Sequence, residues 1–301
     1  MKKNLSITKI GIVSIPDNKQ AGSVIEKLRA WSQKNNLELF MEKETAKNYS
    51  PQYPGRSISE IADYVDIILL LGGDGTLLRA AHSIKSSHNI PILGINLGSL
   101  GFLTEVTVEE MFPTLDYILK NGFSLDERMT LEASVYEDGK KTLKSNALND
   151  IVIDKGNRNI LIKLCAHIDD IWVNTFLCDG IIIATPTGST AYSLSAGGSI
   201  VYPDLKCILM TPICPHILTN RPIIIPDSAH IELSIQSKGE NAFLSIDGQL
   251  KTQLSIANRI IITKSEKVIK LIRAPDRSYY QILRAKFKWG ERGVEISKER
   301  C

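Results

Sequence analysis

The segment that most constrains the fold of this chain is the run Val65 to Leu71, which is apolar apart from Asp66 and ends at Gly72-Gly73. A strand in a parallel sheet has both faces covered, so it carries a near-continuous apolar run of this kind. After the glycines, a helix is predicted to begin near Thr76 and to end at about Ser87. The segment therefore predicts a strand, a tight turn and a helix in succession, which is the building unit of an open α/β sheet.

The rest of the first third of the chain repeats this alternation. Apolar residues recur at helical spacing in 21–35 and in 107–121, and Gly122 is placed to end the second of these helices. Further strands are predicted at Ile7 to Ile15, Leu37 to Met41 and Ile90 to Ile95. The sequence thus predicts an α/β N-terminal domain, residues 1–127, with an open, parallel, Rossmann-like sheet.

After about Arg128 the pattern changes to short strand-like runs separated by turn dipeptides such as Asp138-Gly139, Lys238-Gly239 and Asp247-Gly248. This pattern predicts a second, β-rich domain over residues 128–275, mostly antiparallel and folded as a sandwich. A tail, residues 276–301, regains helical periodicity between Ser278 and Lys288, and we expect it to pack back on the N-terminal domain. The strands predicted in the second domain include Leu131 to Tyr136, Ala147 to Ile153, Ile160 to His167, Ile181 to Ala184, Ile223 to Ile225, Ile231 to Ile235, Arg259 to Thr263 and Val268 to Arg273.

Composition excludes several classes of protein. The 301 residues include 36 Lys and Arg against 33 Asp and Glu, a net charge of +3 that is too small and too evenly spread for a nucleic-acid surface. The five cysteines lack C-x-x-C spacing, so neither a disulfide framework nor a structural zinc site is indicated. No run is long enough to cross a bilayer, and the N-terminus is too polar for a secretory leader. We therefore expect a soluble cytoplasmic protein that binds neither nucleic acid nor membrane.

The motif Gly72-Gly73-Asp74-Gly75-Thr76 is the first that carries chemistry. Glycines at the start of a helix let the backbone approach a phosphate, and the helix dipole favours an anion there. A carboxylate beside bound phosphates is unfavourable unless it takes a proton from an attacking hydroxyl or holds a divalent cation. Asp74 is therefore a candidate catalytic residue, and the structural alternative is that it only caps the helix. The motif is neither a Walker A loop nor a G-x-G-x-x-G fingerprint.

Two further polar constellations lie in the second domain. Asn149-Asp150 interrupts the apolar run Ala147 to Ile153, and ribose hydroxyls are suitable partners for such a pair. On spacing alone, however, solvent and a local backbone cap explain the pair better. The segment Asp179 to Pro203 contains a loop dense in hydroxyls, with Thr187 and Thr190, followed by Tyr192, whose ring offers a planar face to a base. A turn that caps a helix accounts for only one or two of these hydroxyls.

Taken in order along the chain, these motifs resemble those of the NAD kinase family. GGDGT by itself also resembles the phosphate loop of diacylglycerol and sphingosine kinases and, more distantly, of phosphofructokinases. The run TPTGSTAYSLSAGGSI from Thr185 to Ile200 is similar to a signature that the lipid kinases lack. Asn149-Asp150 matches the family's Asn-Glu/Asp pair, with Asp one methylene shorter than the common Glu. Other matches are the run Asn96 to Leu103, Pro212, Cys214-Pro215-His216 and Arg221-Pro222.

The resemblance implies phosphorylation of the adenosine 2′-hydroxyl of NAD by ATP, with Asp74 as the proton acceptor. It implies that Gly73 and Gly75 line the phosphates of the dinucleotide, that Arg79 neutralises phosphate charge, and that Asn149 and Asp150 bind ribose hydroxyls. The remaining implied ligand contacts are Asp179, Thr187, Thr190, Ala191, Tyr192, Ser195 and Gln249. A homodimer or homotetramer is also implied.

Phosphoryl transfer requires neutralisation of charge on the transferring group, so we expect a divalent ion, Mg²⁺, to accompany ATP. The sequence has no dedicated carboxylate cluster around the loop, so phosphates and water should hold the ion. Two rival functions stay open: a lipid kinase, which leaves the segment Asp179 to Ile200 unexplained, and a non-catalytic dinucleotide sensor, which leaves Asp74 unexplained. The sequence does not determine the preferred phosphoryl donor, the use of NADH as an acceptor, feedback by NADP, or the subunit number.

Overall fold

A computed structural model describes residues 7–85, 89–156, 160–236, 242–275 and 277–289 of the chain. These residues form two units, one from Met1–Asp126 together with Lys270–Cys301, and the other from Glu127–Ile269. Each unit is a set of residues that contact one another more than they contact the rest of the chain. The domain limits predicted from the sequence, at 127 and 275, concern independently folding domains, and they stay a prediction.

The described elements of the first unit before its closing helix are β1 (Lys9–Ser14), α1 (Lys19–Lys34), β2 (Glu38–Glu42), α2 (Lys43–Tyr49), β3 (Gly55–Arg56), α3 (Ile58–Tyr64), β4 (Ile67–Leu71), α4 (Asp74–Ser83), β5 (Pro91–Asn96), β6 (Val106–Thr107) and α5 (Val108–Asn121). Then follow β7 (Leu125–Glu137), β8 (Lys140–Ala147), β9 (Asp150–Asp154), β10 (Ile162–Ile168), β11 (Ile171–Cys178), β12 (Gly180–Ala184), a 3₁₀ turn (Thr187–Thr190), α6 (Tyr192–Ser195), β13 (Cys207–Ile213), β14 (Ile223–Pro226), β15 (Ile231–Ile235), β16 (Ala242–Ile246), β17 (Leu250–Leu254) and β18 (Asn258–Ile272). The described chain closes with α7 (Tyr279–Phe287).

The first unit is built on a parallel sheet in the order β3-β2-β1-β4-β5. Lys270 and Leu271, at the end of β18, pair in parallel with Pro91 and Ile92 of β5. Every residue of β4 is buried, as the apolar run predicted. Because parallel strands all point the same way, the segments that follow β1, β4 and β5 leave the sheet at one edge. The GGDGT turn lies at that edge.

The second unit contains two antiparallel sheets. One has the order β11-β10-β15-β18, with the hairpin of β7 and β8 joined to β18, and the other has the order β14-β13-β12-β9-β16-β17. Alternate residues of both sheets share one apolar core, which includes Leu131, Leu164, Ile181, Leu233 and Leu244. The predicted fold class, a parallel α/β sheet followed by an antiparallel β-sandwich, is confirmed.

Several element limits differ from the prediction. Helix α4 begins at Asp74 and ends at Ser83, so the aspartate lies in the first turn instead of before it. The predicted strand Ala147 to Ile153 is divided at Leu148-Asn149, between β8 and β9. The two strands predicted over 259–273 are one strand, β18, in which the buried positions change from even-numbered to odd-numbered residues at Thr263-Lys264. The predicted Lys238-Gly239 turn lies outside the described residues.

None of the helices in the described part of the chain has the length and apolar character needed to cross a membrane. The longest, α1, has 16 residues and buries only one face, which includes Val24, Ile25 and Leu28. Its N-terminus is capped by Asn18, whose side chain accepts hydrogen bonds from the backbone N–H groups of Gln20 and Ala21.

Candidate active site

The turn between β4 and α4 packs too closely against the side chain of Thr76 for any residue but glycine at position 72. The N–H of Gly72 donates to the carbonyl of Ile95 at 2.9 Å. A Cβ atom at Gly72 would overlap the hydroxyl of Thr76, so a larger residue would displace the first turn of α4. At Gly73 and Gly75, by contrast, the space that a Cβ would occupy is open. The backbone at the start of α4 is therefore accessible to an anion, and the free N–H groups of the helix N-terminus favour one.

The carboxylate of Asp74 lies in this first turn and is bound by the loop that follows β5. Its Oδ2 accepts a hydrogen bond from the N–H of Phe102 at 2.8 Å. Its Oδ1 accepts from the N–H groups of Leu103 at 3.0 Å and Thr104 at 3.1 Å, and from the hydroxyl of Thr104 at 3.1 Å. A Cβ at Gly101 would overlap Oδ1, so this glycine is required for the contact. The loop thus fixes the orientation of the carboxylate.

A second layer of contacts supports the Asp74 carboxylate. Thr104 is completely buried, and its hydroxyl accepts a hydrogen bond from the side-chain amide of Asn96 at 3.0 Å. The Oδ1 of Asn96 in turn accepts from the N–H of Gly98 at 2.6 Å. Sequence reasoning had singled out the run from Asn96 to Leu103 only as a family match. It did not identify Thr104, which bridges this run and the aspartate.

Arg79 lies on α4 in the turn after Asp74, where its guanidinium contacts the first two strands of the sheet. Nη2 donates to the carbonyl of Ser14 at 3.0 Å, and Nη1 lies 3.5 Å from Oε1 of Glu42. Glu42 is buried and also caps α2, accepting a hydrogen bond from the N–H of Thr45 at 2.9 Å. The structure therefore gives Arg79 a role in holding the sheet edge, and its predicted role toward phosphate stays a prediction.

In the second unit, Asn149 and Asp150 lie at the start of β9, where β9 pairs with β12. The carbonyl of Asn149 accepts from the N–H of Thr185 at 2.9 Å, and Asp150 is opposite Ala184. The carboxylate of Asp247 accepts from three consecutive N–H groups, those of Leu148 at 2.8 Å, Asn149 at 2.7 Å and Asp150 at 3.0 Å. The backbone of the pair is thus held from both sides.

The ionisation of Asp150 differs from that of an ordinary aspartate. Its side chain is only 5% exposed, and burial, together with the nearby charge of Asp247, raises its pKa to about 7. Burial is the larger of the two causes, and a hydrogen bond from the backbone N–H of Tyr192 opposes the shift. Asp150 therefore changes charge in the neutral pH range.

The hydroxyl-rich segment after β12 divides into buried residues that hold the turn and more exposed residues. The hydroxyl of Thr185 donates to the carbonyl of Leu148 at 2.6 Å, and that of Ser189 donates to the carbonyl of Pro186 at 2.6 Å. A Cβ at Gly188 would overlap the carbonyl of Asn149, so this glycine allows the turn to lie against the Asn149-Asp150 segment. Thr190 and Ala191 are half-buried, and Tyr192 and Ser195 are exposed.

Asp179 and Gln249 were also predicted from the sequence. Asp179 Oδ1 lies 2.5 Å from the ammonium of Lys155, in an ion pair on the same unit. The pKa of Tyr192 is raised first by partial burial and then by the nearby charges of Asp154, Cys214, Asp179 and Asp150. Gln249 is exposed in the turn that contains Asp247. The second unit therefore places Asn149, Asp150, Asp179 and Tyr192 near one another.

Sequence reasoning missed three buried charged residues of the second unit. Asp247 was noted only as part of a turn. Arg128, which is 3% exposed, donates from Nη1 to the hydroxyl of Thr187 at 3.3 Å. Lys267 is 6% exposed, and burial lowers its pKa while the charge of Asp247 opposes the change. The sequence carries little signal for Arg128 and Lys267, because a charged residue in an alternating strand normally faces water.

Within the described residues, no group of three or more His, Cys, Asp or Glu side chains is arranged to hold a metal ion. The Asp74 carboxylate, which is the acidic group in the GGDGT turn, is engaged by four hydrogen bonds from the 102–104 loop.

Comparisons with known proteins cover nearly the whole chain. Residues 10–123 match the family model of the ATP-NAD kinase N-terminal domain, and residues 148–274 match that of the ATP-NAD kinase C-terminal domain. The NAD kinase of Syntrophotalea carbinolica is 42% identical over 284 residues, which are 94% of this chain and 99% of that one. The NAD kinase of Geotalea daltonii is 41% identical with the same coverage.

Two solved structures have the same fold. Yeast NADH kinase complexed with NADH superposes with a TM-score of 0.86 at 26% identity, covering 99% of this chain and 91% of the yeast chain. An NAD kinase from Archaeoglobus fulgidus in complex with ATP gives a TM-score of 0.73 at 25% identity, covering 92% of this chain and 99% of that chain.

Proposed function

The chain belongs to the NAD kinase family, and from that premise we propose that Asp74 accepts the proton of the adenosine 2′-hydroxyl of NAD during phosphoryl transfer. The family makes the chain an ATP-dependent kinase that converts NAD to NADP. The 2′-oxygen forms a bond to the γ-phosphorus of ATP as the bond from that phosphorus to the bridging oxygen breaks. ADP leaves, and the proton passes to Asp74 and then to water.

The observation that supports this role is that the two carboxylate oxygens of Asp74 accept different numbers of hydrogen bonds. Among the hydrogen bonds of the described residues, Oδ1 accepts three and Oδ2 accepts one. A carboxylate oxygen has about two lone-pair positions, so Oδ2 retains one that is free to accept a proton. We therefore propose Oδ2 as the basic atom. The fixed orientation given by the 102–104 loop supports general base catalysis, which requires a positioned group.

The glycines on either side of Asp74 support a phosphate contact. Gly73 and Gly75 have open space where a side chain would begin, and they lie at the N-terminus of α4. Backbone N–H groups there suit the pyrophosphate of the dinucleotide. Arg79 lies in the next turn of α4. We propose that it supplies positive charge to the phosphates while its guanidinium remains bonded to the carbonyl of Ser14 and the carboxylate of Glu42.

For the second unit we propose that Asn149 and Asp150 bind ribose hydroxyls and that Tyr192 lies against a base. The exposed ring of Tyr192 and its proximity to Asp150 support this arrangement. The other proposed ligand contacts are Asp179, Thr187, Thr190, Ala191, Ser195 and Gln249.

A family that uses ATP requires a divalent metal ion for phosphoryl transfer, and we propose that this ion is Mg²⁺. Phosphate oxygens and water would hold it, and it would neutralise charge on the transferring group. We further propose that the protein functions in the cytoplasm as a homodimer or homotetramer. Exposed apolar side chains on the second unit, Trp172 at 59% and Leu218 at 86%, support association. A monomer mass by light scattering would contradict the proposed assembly, and cell fractionation tests the compartment.

The test incubates purified protein with NAD, ATP and Mg²⁺, and measures NADP with a coupled dehydrogenase. Asp74→Asn should lower kcat by roughly 10²–10⁴-fold, because a positioned general base contributes that much. Binding of NAD, measured by calorimetry without ATP, should stay within a few fold. A suitable control is Asp66→Asn, because the Asp66 carboxylate also accepts backbone hydrogen bonds, from Thr8 at 2.7 Å and Lys9 at 2.8 Å, but lies at the N-terminal end of β4.

The outcomes separate the alternatives. Turnover of Asp74→Asn at the wild-type rate would exclude Asp74 as the base. Loss of NAD binding in that variant would give Asp74 a structural role instead. Tight NAD binding by the wild-type protein without NADP formation would indicate a dinucleotide sensor, and phosphorylation of a diacylglycerol without NADP would indicate a lipid kinase.

A further inference from the structure

The break between β8 and β9 leaves consecutive backbone N–H groups of Leu148, Asn149 and Asp150 directed at one side chain. The carboxylate of Asp247 accepts all three, at 2.8, 2.7 and 3.0 Å. The N–H of Asp247 in turn donates to the carbonyl of Asp150 at 2.9 Å. These contacts join the turn after β16 to the start of β9 by four hydrogen bonds, two of which involve the backbone N–H and C=O of Asp150 itself.

We propose that Asp247 is a positioning residue for NAD, which fixes the backbone at Leu148 to Asp150 and so sets where the side chains of Asn149 and Asp150 meet the ribose. The proposal rests on the proposed function, in which that pair binds the ribose hydroxyls. Asp247 does not itself touch the substrate in this proposal; it acts through the two residues that do.

The backbone conformation of Asp247 supports a specific requirement for this residue. Its φ is +47°, in the left-handed region, and Gly248 follows with a φ of +67°. Aspartate and asparagine adopt this region more readily than other non-glycine residues. Among these two, only aspartate offers two oxygens to accept from three donors, and hydrogen bonds to a charged acceptor are stronger than those to a neutral one. The position thus combines a turn conformation with an anionic acceptor.

The charge of Asp247 also acts on Asp150. Both carboxylates are buried, Asp150 at 5% and Asp247 at 8% exposure, and the charge of Asp247 contributes to the raised pKa of Asp150. Ionised Asp150 accepts hydrogen bonds from hydroxyls more strongly than the protonated acid does. NAD affinity should therefore rise as the pH increases through about 7. The other charged or titratable groups of this region are Tyr192, Asp154, Asp179, Lys155, Cys214 and Lys267.

The experiment measures the Kd of NAD by calorimetry, without ATP, from pH 5.5 to 8.5 in the wild-type protein and in two variants. Asp247→Asn keeps a residue that tolerates the left-handed φ, but it loses the charge and one acceptor. We expect its Kd at pH 8 to rise about tenfold, since a lost hydrogen bond to a charged group corresponds to roughly that factor. The midpoint of the pH dependence should also move to lower pH, because removing a neighbouring negative charge lowers the pKa of Asp150.

Asp247→Glu separates positioning from charge. The glutamate keeps the negative charge but places its carboxylate one methylene farther out, so it cannot accept from the same three N–H groups without a backbone shift. Its Kd should rise as in Asp247→Asn, whereas its pH midpoint should stay near that of the wild-type protein. A variant that failed to fold would lose NAD binding at every pH. It would not produce a shifted pH midpoint in Asp247→Asn together with an unchanged pH midpoint in Asp247→Glu.

Asp66→Asn serves as the matched control, because it removes an equivalent carboxylate bound to backbone N–H groups in the first unit. It should lower the thermal unfolding midpoint without changing the Kd of NAD or its pH dependence. If Asp247→Asn and Asp247→Glu both keep the wild-type Kd, the positioning role is overturned. If Asp247→Asn keeps the wild-type pH midpoint, the effect of the Asp247 charge on Asp150 is overturned.

A separate variant tests the premise. Asp150→Asn should weaken NAD binding at pH 8 and remove the pH dependence near 7. If this variant binds NAD as tightly as the wild-type protein at every pH, the proposed ribose contact of Asp150 is wrong. If Asp150→Asn weakens binding while the Asp247 variants do not, only the role of Asp247 is wrong.

Discussion

At the scale of single residues, three aspartates use the same chemistry in different ways. Asp66, Asp74 and Asp247 each accept backbone N–H groups of a segment distant in sequence. Asp66 joins β1 to β4 and has no further part in the site. Asp247 positions the Asn149-Asp150 backbone, and Asp74 keeps one oxygen less engaged than the other. The number and direction of the donors around each carboxylate therefore distinguish Asp66 from Asp74, the proposed base.

Thr104 offers a residue-scale prediction for the Asp74 site. Its buried hydroxyl donates to Asp74 and accepts from Asn96, so Thr104→Val removes both contacts and leaves the side-chain amide of Asn96 without this acceptor. An unsatisfied buried polar group costs roughly 1–3 kcal/mol, so the thermal midpoint should fall. Because Asp74 loses one of the contacts that fix its orientation, we also expect kcat to fall about tenfold. Thr104→Ser keeps the hydroxyl and should recover most of kcat. Equal kcat values for the valine and serine variants would show that the hydroxyl does not support Asp74.

At the scale of elements, the structure depends on helix starts that the sequence encodes locally. Helix α5 begins with a capping box, in which the hydroxyl of Thr107 accepts from the N–H of Glu110 and the Glu110 carboxylate accepts from the N–H of Thr107 at 3.0 Å. Burial tends to raise the pKa of Glu110, but hydrogen bonds from Thr107 and the charge of Arg277 outweigh it and lower the pKa. The side chain of Glu110 thus stays ionised and holds the helix N-terminus.

The capping box gives an element-scale prediction. Thr107→Ala should destabilise the protein by about 1 kcal/mol, the usual effect of losing an N-cap hydroxyl. The thermal midpoint should fall by roughly 2–4 °C, while kcat for NADP formation stays unchanged because α5 contributes no proposed ligand contact. Ser83→Ala is the matched control. Among the described residues, that hydroxyl bonds to the carbonyl of Arg79 at the end of α4, and alanine is the better helix former. If the thermal midpoint falls as far in Ser83→Ala as in Thr107→Ala, the loss of stability in Thr107→Ala is not due to the missing N-cap hydroxyl.

At the scale of the whole molecule, the raised pKa of Asp150 lowers the stability of the fold at neutral and alkaline pH. Asp150 has a pKa of about 7 in the folded protein against 3.8 for an ordinary aspartate, so the unfolded chain releases its proton at lower pH. The folded state binds more protons between these two pKa values. The contribution of Asp150 to the free energy of unfolding therefore falls as the pH rises from about 4 to 7. The full loss, present above pH 7, is on the order of 4 kcal/mol. This cost is consistent with a buried carboxylate retained for binding.

A prediction for the whole molecule follows from this linkage. Asp150→Asn should raise the thermal midpoint relative to the wild-type protein at pH 8, because the amide needs no ionisation and still accepts from the N–H of Tyr192. The gain should shrink at pH 5, where Asp150 in the folded protein is protonated. Thermal unfolding of both proteins at the two pH values measures the difference. A gain that is equal at pH 5 and pH 8 would contradict the raised pKa.

The sequence by itself determined the fold class and the family. The apolar run of β4 predicted a strand covered on both faces, and the glycines after it predicted the tight turn, because local sterics decide both. Asp74 and the segment from Thr185 to Ile200 were recognisable because each breaks the pattern of its surroundings, whereas only the family resemblance gave Asn149-Asp150 a role. The limits of elements were less certain, as with the single strand β18 in place of two.

Only the tertiary structure decided which groups those residues meet. Thr104 and Asp247 lie 30 and 97 positions from the residues they hold, Asp74 and Asp150, and no local periodicity links them. The raised pKa of Asp150 arises from burial and from a carboxylate on another strand pair, so it is a property of packing. Hydrogen bonds and charges act through space over a few ångströms, whereas sequence patterns record only neighbours along the chain. The motif therefore indicated the candidate base, Asp74, whereas the fold determined which residues hold its carboxylate in place.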